Sequence, residues 1–355
     1  MEQAKKLQDA ETKLNTKNRV IYYDILNILA CISVVILHSN GIVHFYSDMR
    51  AWKTALIFEV ICYWAVPVFI MLSGGTLLKY RERYSTKEFF KRRFVKVLIP
   101  WIIWSLIIFV INKKSFNFMQ FVSDFAYGEI ESAYWFFPLI LFLYCIIPVL
   151  SVFTEKEEYR KILKAILAFL FVFKAVINPI CLIFNIELPT IFSFCLEPSG
   201  YIMFLILGYL LSTTNISKNK RIVVYILGIL SIFIRYFYTY FMSEQAGKLN
   251  TDLFDYCSAV SVLLAIAVFV FVKNVKWEKI INKLHIKPNF LAGLSACSFG
   301  VYLIHKLIRD QVTTVFNLDM HSIWYRTVGA ILLYIISVII VYIIKKIPIL
   351  KKIVP

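Results

Sequence analysis

Apolar runs long enough, or nearly long enough, to cross a membrane recur ten times along the chain, separated by polar and basic stretches. They cover roughly residues 20–40, 54–78, 95–112, 134–153, 161–183, 198–214, 221–243, 253–273, 289–309 and 325–344. A helix needs about 20 apolar residues to cross a hydrocarbon core of about 30 Å. The pattern therefore predicts an all-α polytopic membrane helix bundle with about ten transmembrane helices. The runs at 95–112 and 198–214 are the shortest. The first, RVIYYDILNILACISVVILHSN, holds Asp24 near its start and His38 at its end. On a helix rising about 1.5 Å per residue the two stand roughly 21 Å apart, near opposite ends of one span. An ionisable residue in a membrane helix is expensive, which makes both functional candidates.

Composition agrees with that reading. Of the 355 residues, 60% are hydrophobic, and the mean hydropathy is +0.72. A soluble fold has no way to hide so much apolar surface. The 31 Phe and 21 Tyr suit lipid-facing and interfacial helices. The formal net charge of +17 would fit a nucleic-acid binder, but the basic residues alternate with membrane spans, so no nucleic acid is expected. Seven cysteines lie in or beside apolar stretches without metal spacing, and five histidines show no ligand motif such as HExxH. No metal and no permanently bound cofactor is expected.

The basic residues also orient the chain. Residues 1–18 are polar and read as a cytoplasmic tail, with 19–355 forming one transmembrane domain. With the N-terminus inside, the cytoplasmic segments carry 29 of the 39 Lys and Arg residues. The outer loops carry seven: Arg50, Lys53, Lys113, Lys114, Lys248, Arg309 and Arg326. Both termini are then cytoplasmic. Depth follows from orientation. His38, Glu59, Trp135, Glu197, Arg235 and His305 all fall toward the outer face, and Lys174 near mid-membrane. The loop KYRERYSTKEFFKRRFVKVLIPW is the basic cluster of the inner face, with Lys91, Arg92 and Arg93 opening the third span.

Five segments together resemble one family. They are DILNILACISVVILH, VPVFIMLSG, FFKRRFVKVLIPW, YWFFPLILFLYCIIPVL and SFGVYLIHKLI. In this order they are similar to the acyltransferase-3 family of integral-membrane O-acyltransferases. The resemblance covers spans one to four and nine, while the middle spans agree mainly in number and length. It implies a ten-helix domain of the plasma membrane that moves an acyl group, usually acetyl, onto sugars of surface or exported glycans. The implied donor is cytoplasmic acyl-coenzyme A, and the implied acceptor is a glycan hydroxyl. The family's arginine eleven residues before the first-span histidine is here Asn27, which hydrogen-bonds but carries no permanent charge. Asp24 matches the acidic residue three positions earlier. The chain ends soon after its tenth span, so an extracellular hydrolase-like domain is not expected.

Acyl transfer to a hydroxyl needs a base for the alcohol proton, and histidine suits that role. His38 reads as this base, or as a wet interfacial histidine, with Asp24 and Asn27 supporting its helix. His305 reads as a second catalytic or positioning group, or as an anchor beside Lys306, whose stem can snorkel. Glu59 reads as orienting a histidine or binding a sugar hydroxyl, or as the ion-pair partner of Arg235. Lys91, Arg92 and Arg93 suit coenzyme A phosphates at a helix N-terminus, and equally suit topology and anionic lipid. Trp135, with Tyr134, suits stacking on a sugar ring, and equally an aromatic belt. Asn27 and Arg235 complete the substrate-binding candidates. The rival reading is a transporter or exporter of a glycan or glycolipid, in which Lys174, Arg235 and Glu59 line a polar pathway.

Overall fold

The computed structural model describes residues 19–113, 116–184, 186–187 and 200–355, and every regular element among them is helical. The first span is α1 (Ile21–Ser39). The second is broken into α2 (Arg50–Cys62) and α3 (Ala65–Leu77). The third is α4 (Thr86–Lys113), followed by the short amphipathic α5 (Phe118–Ala126). The fourth is α6 (Phe136–Val152). The fifth runs from α7 (Glu157–Leu170) through a π-turn at Phe171–Ile177 into α8 (Asn178–Ile183). Then come α9 (Gly200–Thr213) and α10 (Lys218–Ala246). The eighth span is α11 (Ala259–Asn274), bent by 61° from the short α12 (Trp277–Lys283). The chain closes with α13 (Pro288–Val315) and with α14 (Ala330–Lys346), which a π-turn at Tyr325–Gly329 precedes.

Among the described residues eight helical stretches are long and apolar enough to cross a membrane, and α9 and α11 supply shorter apolar helices at the sixth and eighth expected positions. All ten runs read from hydropathy therefore appear as helices, in an all-α polytopic bundle. Several extend further than the apolar pattern does. The third begins at Thr86, not near residue 95, because KEFFKRR contains no helix breaker and Glu88 pairs with Arg92 one turn later at 2.7 Å. The basic triplet Lys91-Arg92-Arg93 thus lies inside the helix and not at its N-terminus. The second span breaks at Tyr63-Trp64, and Pro67 follows in the first turn of α3, where its missing N–H costs least.

α1 is the central helix and packs against α13, α3, α14, α2 and α11. Helices in lipid gain little from the hydrophobic effect on one another, so close contact relies on small residues and polar links. The contact between α3 and α9 uses small residues. A Cβ added to Gly74 would stand 2.0 Å from the Leu205 carbonyl oxygen, and one added to Gly208 would stand 1.9 Å from that of Met71. The two backbones touch because neither glycine has a side chain.

Gly208→Ala should therefore lower stability by about 1–3 kcal/mol, the range for overpacking a tight contact, read as an earlier thermal transition of the purified protein in detergent. Gly293→Ala is the matched control. A Cβ there meets nothing within 4 Å, and the change should leave the transition in place or raise it slightly.

Candidate active site

One face of α1 carries Asp24, Asn27, Val34 and His38 at spacings of three, seven and four residues, a single helical stripe. The facing stripe of α13 carries Ser295, Ser298, Tyr302 and His305, each three or four residues from the next. Polar contacts join the two stripes along their length. The Asn27 side-chain amide donates to the Ser295 carbonyl at 2.8 Å and to its hydroxyl at 2.9 Å. The Cys31 thiol lies 3.6 Å from the Ser298 carbonyl. His38 Nδ1 meets His305 Nε2 at 2.6 Å, with the rings nearly parallel. Arg309 donates to the His38 carbonyl, one of the acceptors that the end of α1 would leave unpaired.

The hydrogen-bond network assigns the imidazole protons. His305 Nδ1 faces the carbonyl oxygens of Val301 at 3.0 Å and Tyr302 at 2.9 Å, and these oxygens only accept. His305 Nδ1 therefore holds a proton, and Nε2 of the neutral ring holds a lone pair. His38 must then donate through Nδ1, which leaves His38 Nε2 unprotonated. That is the form a general base requires.

Two cavities lie along α1, and His38 lines the second. The first, of about 460 Å³, runs between α1, α3, α4, α6 and α13. Its polar lining (Asp24, Asn27, Ser73, Thr76, Arg93 and Lys96) lies toward the end of the bundle that carries the basic cluster. The second, of about 470 Å³, opens toward the opposite end and is lined by His38, His44, Glu59, Tyr63, Trp135, Asp255 and Tyr256, among others. Val34, Val66 and Tyr302 line both, so they form the wall between them. His38 is one helical turn beyond Val34. His44, in the turn after α1, is held below the usual histidine range by burial.

The second cavity has an aromatic side. Tyr63 and Tyr256 stack with ring centres 4.3 Å apart, and Trp135 lies parallel to Tyr256 at 5.9 Å. The break between α2 and α3 places Tyr63 here, and its hydroxyl donates to the Phe254 carbonyl. Asp255 pairs with the buried Lys174 at 3.2 Å, which gives the mid-membrane lysine its counter-charge.

The candidates from sequence thus separate into groups. His38, Glu59 and Trp135 share the second cavity, with His305 directly behind His38. Arg235 lies outside the lining. It is buried behind Tyr63, 4.3 Å from that ring's centre, and donates to Ser258 and Ser261. Glu59 accepts from Asn40 at 3.5 Å, and no direct ion pair with Arg235 forms. Asn40 also accepts from Arg326. Arg326, counted with the outer loops from sequence, is buried at the start of the last span and donates to Thr54 and the His321 carbonyl.

Asp24 and Asn27 line the first cavity, and Asp24 holds Arg19 through two hydrogen bonds of 2.6 and 2.7 Å. Of the basic triplet only Arg93 reaches that cavity. Arg92 pairs with Glu88 and lies over the Tyr84 ring, and Lys91 is exposed. Glu197 lies outside the described residues. Lys306 pairs with Glu131 and Ser132. The residues that sequence reasoning did not single out are Lys96, Tyr63, Asp255, Tyr256 and Tyr302. Lys96 was signalled by its spacing of three from Arg93, and Asp255-Tyr256 by an acidic–aromatic pair at the start of the eighth apolar run.

No solved structure and no curated protein matches the chain. The model of the acyltransferase-3 family, an acyltransferase domain, matches residues 20–345. With that match over nearly the whole chain, on a helix bundle that brings two of its histidines together beside a cavity, the protein belongs to the acyltransferase-3 family and is a multi-pass membrane acyltransferase.

Proposed function

We propose that the protein moves a short acyl group, most simply acetyl, from acyl-coenzyme A in the first cavity to a hydroxyl of a cell-surface or exported glycan in the second. The observation that carries this reading is the His38–His305 pair, in which His38 lines the second cavity one helical turn from Val34, where the two cavities adjoin. The basic end of the bundle is assigned to the cytoplasm, on the distribution of Lys and Arg, and the membrane to the plasma membrane. Arg93 and Lys96 would then hold the phosphates at the inner mouth, and the pantetheine arm would follow the α1 stripe from Asn27 to Val34. Those seven residues span about 10 Å of helix at ~1.5 Å each.

In the transfer step the acceptor hydroxyl oxygen attacks the thioester carbonyl carbon, and its proton passes to His38 Nε2. The tetrahedral adduct collapses by breaking the C–S bond. The departing thiolate takes the proton back from His38, which yields the ester and free coenzyme A. His305 acts through His38. It keeps the Nδ1 proton hydrogen-bonded, fixes the tautomer and spreads the charge of the transient imidazolium. The stacked rings of Tyr63, Tyr256 and Trp135 suit the apolar face of a sugar, and Glu59 and Asp255 suit its hydroxyls. The rival export reading requires a polar path from end to end, and Val34, Val66 and Tyr302 interrupt it.

Release of coenzyme A from acetyl-coenzyme A by purified protein in detergent, with cell-wall glycan extract added, tests the reading. His38→Ala should lose at least about a hundredfold in turnover, the low end for removing a general base. His305→Leu should fall with it, and His305→Gln, whose side-chain carbonyl still accepts from His38, should recover part of the loss. Equal rates for His38→Ala and wild type would overturn the assignment.

Affinity tests the inner mouth separately. Arg93→Ala and Lys96→Ala should each raise KM for acetyl-coenzyme A about tenfold, the scale of one lost charge-assisted hydrogen bond, with kcat little changed. Arg92→Ala, which removes a group turned away from the cavity, should shift KM much less.

A further inference from the structure

The wall between the cavities has a composition that the transfer reading does not itself require. Val34 comes from α1, Val66 from the first turn of α3 and Tyr302 from α13, so three separate helices meet there. All three residues line both cavities. Val34 and Val66 are buried and β-branched, with little freedom to swing aside. Tyr302 is pinned at both ends. Its hydroxyl donates to the Ala133 carbonyl, and its own carbonyl accepts from His305 Nδ1. Its ring is packed edge-on by Phe136 and Phe137. A thioester carbon within reach of His38 has to sit against this wall, because His38 follows Val34 by one turn on the same stripe.

Resting on the acyltransferase reading, we infer that Val34, Val66 and Tyr302 set the length of the acyl group, holding it at the wall and restricting the donor to short chains of about two or three carbons. The cavities themselves have ample volume, so the restriction is local to these three side chains. A rigid apolar contact surface discriminates by roughly tenfold or more per methylene. Neither the phosphate-binding end nor the acceptor end takes part in that choice.

The test is a competition series of acetyl-, propionyl-, butyryl- and hexanoyl-coenzyme A, scored as release of coenzyme A by wild type, Val66→Ala, Val34→Ala and Tyr302→Phe. Wild type should prefer acetyl to butyryl, which is two methylenes longer, by about a hundredfold or more. Val66→Ala and Val34→Ala should move that ratio toward butyryl by about tenfold, with the loss on acetyl smaller than the gain on butyryl. Tyr302→Phe keeps the ring and frees it from Ala133. It should widen the profile in the same direction, which covers the case in which a valine variant fails to fold. Monodisperse variants with an unchanged butyryl-to-acetyl ratio would overturn the wall as the length filter while leaving the acyltransferase reading intact. A wild type that cleaves none of the four thioesters, with glycan extract present, would overturn both.

Discussion

The seam between α1 and α13 is the constraint on which the rest of the site depends. In lipid, two apolar helices have little reason to choose one register over another, and an unpaired polar group costs several kcal/mol. Here Asn27, Cys31 and His38 each meet a group on α13, spaced by the helical repeat. Sliding either helix by one residue would break all three contacts together. The register that satisfies them also sets His38 against His305 and brings Val34 and Tyr302 to the lining of both cavities. The dyad, the wall and the walls of both cavities follow from this one alignment.

Hydropathy made the ten helices legible because each carries its own signal, and α1 alone carried the two residues at its ends. Helix order was not legible, since a periodic pattern says which face is polar but not which helix it meets. Residues placed at one level from sequence therefore parted company. His38, Glu59 and Trp135 came to one cavity, while Arg235 went behind Tyr63. The choice of Arg93 over Arg92 was not legible because α4 begins at Thr86, about nine residues before the apolar run, so the triplet lies within the helix and its side chains face different directions, with Arg93 toward the cavity. Asp255 and Tyr256 come from a loop, where no period exists to mark them. Asn27 stands where the family resemblance leads one to expect arginine, and positive charge reaches the same cavity from another helix, through Arg93 and Lys96.

The buried arginines show how the bundle tolerates charge. Arg235 and Arg326 are each 1% exposed, and among the described residues neither forms a direct ion pair with a carboxylate. Serine and threonine hydroxyls, a backbone carbonyl and the Asn40 amide oxygen take some of their protons, the Tyr63 ring faces the Arg235 guanidinium, and Arg235 Nε and Nη1 and Arg326 Nε have no hydrogen-bond partner among the described residues. Asn40 then joins Arg326 to Glu59 without direct contact between the charges. A guanidinium serves here where an ammonium would not, because its donors are spread over a planar fork that several neutral acceptors can share. Glu59 is left next to the second cavity with a neutral amide as its partner, free to accept from a ligand as a fully salt-bridged carboxylate is not.

On the proposed reading, a donor on one side of the membrane and an acceptor on the other pose a problem of distance, and adjoining cavities shorten it. Residues of α1 from Tyr23 to His38 line one cavity or the other, and the two cavities share Val34, Val66 and Tyr302. On that reading neither substrate has to cross the bilayer, because the two would meet between these side chains, where the acceptor oxygen can touch the thioester carbon. A single proton-accepting nitrogen is needed at the same depth, and His38, one turn from Val34, would supply it. A narrow junction would also limit the water that reaches the thioester and turns transfer into hydrolysis. The meeting of the two substrates and the protection of the reacting bond would then depend on the same three residues.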